Sequence, residues 1–214
     1  METNKIKIKT LALCFAGVIA VEVLLRAGMR PVMGLPLIVL GAVRLVEAGL
    51  IIMIVFIREK DLNSIGLSLN GIFPGIRRGC VWSAGFGLVV LLGSVLAYLM
   101  GINPLSLTHS TLPVNPGHIV LFFIVGGLIG PMTEEIFFRG VLYGCLRRWG
   151  ALTAILLSTL AFVFAHPVFL AIPITQVVGG LLFAVAYEVE KNLMAPITIH
   201  VLGNLTIFTL SLVG

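Results

Sequence analysis

The stretch "GLIGPMTEEIFFRGVLYG", residues 127–144, sets three charged side chains, Glu134, Glu135 and Arg139, inside a run otherwise suited to lipid. On a helix Glu135 and Arg139 stand four residues apart with the acid first, the favourable order for an ion pair. Glu134 is turned about 100° from its neighbour and about 140° from Arg139. One carboxylate is thereby available for a structural pair, and the other is left free for chemistry.

The surrounding chain has 214 residues, 59% of them hydrophobic and 11% charged. Its mean hydropathy is +1.14, outside the range of soluble domains. Apolar runs of roughly 18 to 25 residues recur with short polar breaks, each long enough to cross a bilayer core about 30 Å thick. Open sheets leave backbone groups unpaired in lipid, so the pattern predicts an all-α, polytopic transmembrane helical bundle. Seven spans are expected at 11–29, 33–57, 80–101, 118–146, 150–166, 172–189 and 193–213. The polar connection 58–79 is expected to lie partly helical in the headgroup region. Residues 1–117 then form the N-terminal spans and interfacial segment, and 118–214 the remaining spans, of a single integral membrane domain.

The basic N-terminus followed by an apolar run imitates a signal peptide, but the run contains Glu22 and lacks a small-residue cleavage site, so an uncleaved span is expected. Lys5, Lys7, Lys9, Arg58, Lys60, Arg77, Arg78, Arg147, Arg148 and Lys191 all fall on one predicted side, which places the N-terminus in the cytoplasm. The net charge of +5 is accounted for by membrane lipid headgroups, and no aromatic-interleaved basic patch points to nucleic acid. Cys14, Cys80 and Cys145 are widely spaced, suggest neither a disulfide framework nor a cysteine zinc site, and are read as small buried hydrophobes.

Two further motifs reach the depth of Glu134. In "FVFAH", Phe162 and His166 share a face and Pro167 ends the helix; in "HVLGN", His200 and Asn204 share a face. Counted at about 1.5 Å per residue from the basic side, all three motifs arrive near mid-bilayer. Such a pocket would join a carboxylate able to take a proton from water, two imidazoles able to orient that water or bind a metal, and an amide able to support an oxyanion. Individually the parts have plain readings: Phe162 as core, a lone histidine as hydrogen-bonded packing, Asn204 as interhelical glue. Their joint occurrence at one depth favours a shared site. Arg44 and Glu47, spaced i, i+3, are read as satisfying each other, and His109 and His118 as facing water beyond the spans. Asp61 is the only aspartate, which excludes an aspartyl dyad, and neither a His-Glu-x-x-His helix nor a Gly-x-Ser-Gly element is present.

"EEIFFR", "FVFAH" and "HVLGN", in that order on separate spans, resemble the Glu-Glu-x-x-x-Arg, Phe-x-x-x-His and His-x-x-x-Asn signature of the CPBP family, the type II CAAX prenyl proteases and bacteriocin-processing enzymes, also called Abi. "IGLSLNGIFPGIRRG" is similar to a segment common in bacterial members. The resemblance implies that Glu134 activates water together with His166, that His200 and Asn204 stabilise the oxyanion, and that Glu135 and Arg139 hold the helix. It implies an intramembrane endopeptidase of the bacterial plasma membrane acting on a membrane-associated protein or peptide. The cofactor stays open between zinc, on Glu134, His166 and His200, and none. The alternatives are a non-catalytic membrane-binding or bacteriocin-immunity protein on the same scaffold and, third, a proton-coupled transporter.

Overall fold

A computed structural model describes residues 6–28, 36–104, 110–166 and 173–212. The described residues form helices and their connections, with no strand. Seven helices follow in order: α1 (Ile8–Gly28), α2 (Leu37–Glu59), α3 (Ile72–Leu99), α4 (Pro116–Trp149), α5 (Ala151–Phe164), α6 (Ile174–Glu190) and α7 (Met194–Leu210). The first four contain segments long and apolar enough to cross a membrane; α5, with 14 residues, and α6 and α7, with 17 each, are shorter. The expected boundary after Pro167 and the side chains of Arg26, Arg30 and His109 lie outside the described residues.

The connection after α2 differs from the expectation. Asp61 and Ser68 cap two short 3-10 turns, and α3 then starts at Ile72, eight residues before the predicted span. Pro74 is tolerated there because the first helical turn has no use for its missing N–H. Arg77 and Arg78 consequently sit on α3, where Arg78 reaches Glu190 at 2.6 Å. Gly75 and Gly79 let α3 close onto α7: a Cβ at Gly79 would come within 2.8 Å of the Ala195 carbonyl oxygen. Gly66, at φ +71°, presents its carbonyl to the Leu193 N–H at 2.9 Å, clamping this connection to the turn between α6 and α7.

The basic residues converge at one end of the bundle. Arg147 grips Glu188 through two nitrogens at 3.0 and 2.9 Å, Lys191 approaches the same carboxylate at 2.7 Å, and Tyr143 donates its hydroxyl to it. Lys7, just before α1, and Thr10 of α1 meet Glu59 of α2, and Arg148 donates to the Ile6 carbonyl. Beneath this end lies a core that includes Ile6, Ile51, Val55, Val141, Tyr187 and Leu193. The outer surface is correspondingly apolar, with Leu24, Leu88, Leu96 and Leu156 all more than half exposed, as a lipid-facing surface requires.

Cys14 and Cys145 are buried, as read from sequence; Cys80 is exposed on α3, because α3 is covered by α7 on one face only. His118 is exposed, as expected.

Candidate active site

The helix that carries the two glutamates is not uniformly α. Val125–Ile129 and Ile136–Tyr143 are π-helical and flank the α-helical segment Gly130–Glu135. In the first π segment the Gly130 N–H donates to the Val125 carbonyl, five residues back. The next residue, Pro131, has no N–H, so the Gly126 carbonyl loses the donor that this ladder would supply. Asn204 fills the gap from α7, its Nδ2 donating to Gly126 O at 2.9 Å. Close approach is possible because Gly127 leaves room: a Cβ there would stand 2.7 Å from Leu205 Cδ2.

Glu134 and Glu135 point to different neighbours. Glu135 and Arg139 are both fully buried and pair at 3.0 Å, and Arg139 Nη2 donates to the Gly180 carbonyl of α6 at 3.0 Å. The same Glu135 Oε1 faces His200 Nδ1 at 2.8 Å, a contact the sequence reading did not include. Glu134 has a side chain 29% exposed, and its Oε2 faces His200 Nε2 at 3.8 Å and His166 Nε2 at 3.9 Å. The structure therefore brings Glu134 of α4, His166, two residues past the end of α5, and His200 of α7 together. Asn204 sits one turn beyond His200, engaged with Gly126 by one of its two amide protons.

Both imidazoles are oriented from behind. His166 Nδ1 lies 2.8 Å from the Phe162 carbonyl, which can only accept, so this nitrogen carries hydrogen. His200 Nδ1 faces a carboxylate and carries hydrogen likewise. When the rings are neutral, each Nε2 is then a lone pair aimed at Glu134. Separations of 3.8 and 3.9 Å are too long for hydrogen bonds and suit an intervening water.

Zinc fits this set less well. Imidazoles held from behind by a carboxylate and a carbonyl are typical of metal ligands. However, two ligands on one tetrahedral ion, each about 2.0 Å away, stand roughly 3.3 Å apart, and among the described residues no three His, Cys, Asp or Glu groups are placed to hold an ion. The described residues as they stand do not make a metal site.

An aromatic shell surrounds the pocket. Phe162 lies 4.6 Å from the His166 ring, and the Arg139 guanidinium is 4.6 Å from the Phe162 centroid and 5.3 Å from that of Phe183. Phe183, from α6, stacks on His200 at 4.5 Å and 20°. Sequence reading singled out no residue of α6; the Gly179–Gly180 pair was the available signal, since adjacent glycines in a helix mark close approach.

On the far side of α4, Thr133 shares its hydroxyl proton between the Arg44 and Ile129 carbonyls, both at 3.0 Å. Arg44 pairs with Glu47 at 2.5 Å, as expected, and also with Glu22 of α1 at 3.0 Å.

A helical membrane bundle with a carboxylate–imidazole pocket at the meeting of three helices defines the class of protein. Residues 116–206 match the family described as type II CAAX prenyl endopeptidase Rce1-like. The chain is thus similar to CAAX-type membrane proteases over this region. It is 33% identical over 131 residues to the membrane-embedded CAAX protease MroQ of Staphylococcus aureus (strain USA300), covering 56% of this chain and 53% of that protein. It is 29% identical over 155 residues to a Bacillus subtilis (strain 168) protein named "Putative membrane peptidase YdiL", covering 69% of this chain and 58% of that one. The aligned region thus spans a little over half the length of each relative. No solved structure matches the chain.

Proposed function

We propose that this protein is an intramembrane endopeptidase, with residues 118–214 as its catalytic core, that hydrolyses a peptide bond of a membrane-associated protein or peptide. The observation that carries the reading is the convergence of Glu134 Oε2 with two imidazole Nε2 atoms at 3.8 and 3.9 Å. A water between Glu134 and His166 donates one hydrogen bond to each and attacks the scissile carbonyl as Glu134 takes one proton from it. The developing oxyanion is met by the Nε2–H of doubly protonated His200 and by the second amide proton of Asn204. Glu134 then delivers its proton to the leaving amine, the carbonyl re-forms, and the C–N bond breaks.

The family match over residues 116–206 and the two bacterial relatives support hydrolysis of membrane-associated substrates. The basic end of the bundle supports a bacterial plasma membrane orientation with Lys7, Arg147 and Lys191 at the cytoplasmic face.

The test is cleavage of a quenched-fluorescent peptide library by purified protein in detergent, with Glu134→Ala and His200→Ala beside the wild type. Turnover is expected to fall by at least about a thousandfold in Glu134→Ala with thermal unfolding unchanged, and to survive chelation. Wild-type cleavage by that variant would overturn the mechanism. Loss on chelation with recovery by zinc would replace the water-only route with a metal.

A further inference from the structure

The family motifs lie on α4, α5 and α7, yet His200 is contacted on its ring face from α6. Phe183 is 7% exposed and covers that face at 4.5 Å and 20°. Phe162 meets the same imidazole edge-on at 5.7 Å and 75°. Behind the rings the Arg139 guanidinium lies over both phenylalanines and donates to Gly180 O, one turn before Phe183. α6 comes close enough for this because Gly180 has no side chain: a Cβ would stand 2.9 Å from Thr159 Cγ2 and 3.3 Å from Phe162 Cδ1. The result is a closed circuit. Arg139 holds Glu135, Glu135 holds His200 Nδ1, Phe183 covers the His200 ring, and the helix carrying Phe183 is tied back to Arg139.

The hydrogen bond that His200 Nδ1 donates to Glu135 fixes where the imidazole sits, but a single hydrogen bond leaves the ring some rotation about its Cβ–Cγ axis. The stacked ring removes it. We propose that Phe183 is a positioning residue for the reaction: it fixes the plane of His200 so that Nε2 faces Glu134. This rests on the proposed hydrolytic site. Phe183 acts through His200, so its loss is expected to lower kcat and to spare substrate binding.

The experiment measures kcat and KM on a peptide that the wild type cleaves, for Phe183→Leu, Phe183→Tyr, Ile51→Ala and Glu134→Ala. Leucine keeps apolar bulk without a stacking face; tyrosine keeps the face and sets its hydroxyl beside Gly179, where no side chain stands. Ile51 is fully buried in the core at the basic end and serves as a control for lost stability. The expected result is kcat reduced about tenfold in Phe183→Leu with KM within twofold, recovery of most of that loss in Phe183→Tyr, and wild-type kcat in Ile51→Ala despite a lower melting temperature. Wild-type kcat in Phe183→Leu, equal loss in Phe183→Tyr, or equal loss in Ile51→Ala would overturn the assignment. Retained turnover in Glu134→Ala would remove the hydrolytic reading itself, so the variant that keeps its activity tells the two failures apart.

Discussion

Glu135 and His200 are 65 positions apart in the chain and meet at 2.8 Å, with the same carboxylate oxygen 3.0 Å from Arg139. Of two adjacent glutamates, one therefore holds the site together and the other faces its open centre. Glu135→Gln leaves the fully buried Arg139 without its counter-charge, and stability is expected to fall by about 3 kcal/mol. Glu134→Gln, at a partly exposed side chain, is expected to leave stability within about 0.5 kcal/mol of wild type while abolishing turnover. Thermal unfolding in one detergent measures both, and equal losses for the pair would contradict the division of roles.

Asn204 replaces a donor that Pro131 cannot supply. Asn204→Ala strands the Gly126 carbonyl and is expected to cost about 1–3 kcal/mol. Pro131→Ala restores an N–H five residues beyond that carbonyl. A double-mutant cycle on thermal stability should find the Asn204→Ala loss reduced in the Pro131→Ala background, and strict additivity would count against the relationship.

Gly180 sets the distance between α5 and α6. Gly180→Ala drives a methyl into Thr159 Cγ2 at 2.9 Å, an overpacking expected to cost about 1–3 kcal/mol. Thr159→Ser removes the methyl that it meets. The double variant should recover most of the melting temperature lost in the single one; no recovery would locate the strain elsewhere.

Asp61, fully exposed in the connection between α2 and α3, accepts from the Asn63 backbone and side-chain nitrogens at 2.9 and 2.7 Å. The Asn63 backbone N–H, with its side chain second, holds the Asp61 carboxyl below its ordinary value. A carboxylate lowered by folding stabilises fully above the unfolded pKa of about 3.9, and that contribution fades as pH falls through the folded value. The melting temperature of wild type is expected to exceed that of Asp61→Ala at pH 7, with the gap closing below about pH 4. A gap independent of pH would refute the assignment.

Much of the fold was legible because lipid imposes a strong pattern: apolar runs of span length, interrupted by charge, marked the helices within a few residues. Depth counting likewise brought Glu134, His166 and His200 to one level, since helical rise is nearly constant. What escaped were features that depend on neighbours. An ideal helix gave Glu135 to Arg139 alone, because the helical wheel carries no information about the His200 that arrives from α7. Pro131 was visible, but its consequence needed the π register that leaves Gly126 exposed to Asn204. Phe183 resembled any other apolar residue of a span. The early start of α3 was hidden by the polarity of 58–79, where Arg78 is explained by Glu190, 112 residues away.

The length of α5 has a consequence for the surrounding membrane. Its 14 residues rise about 21 Å, whereas the hydrocarbon of a bilayer is about 30 Å thick. A helix shorter than the hydrocarbon is accommodated by local thinning of the bilayer, and His166 follows the last turn of this one. Thinning beside α5 would bring the aqueous interface nearer to the polar pocket. On the proposed hydrolytic reading, acyl-chain length then becomes a variable that tunes the supply of the nucleophile.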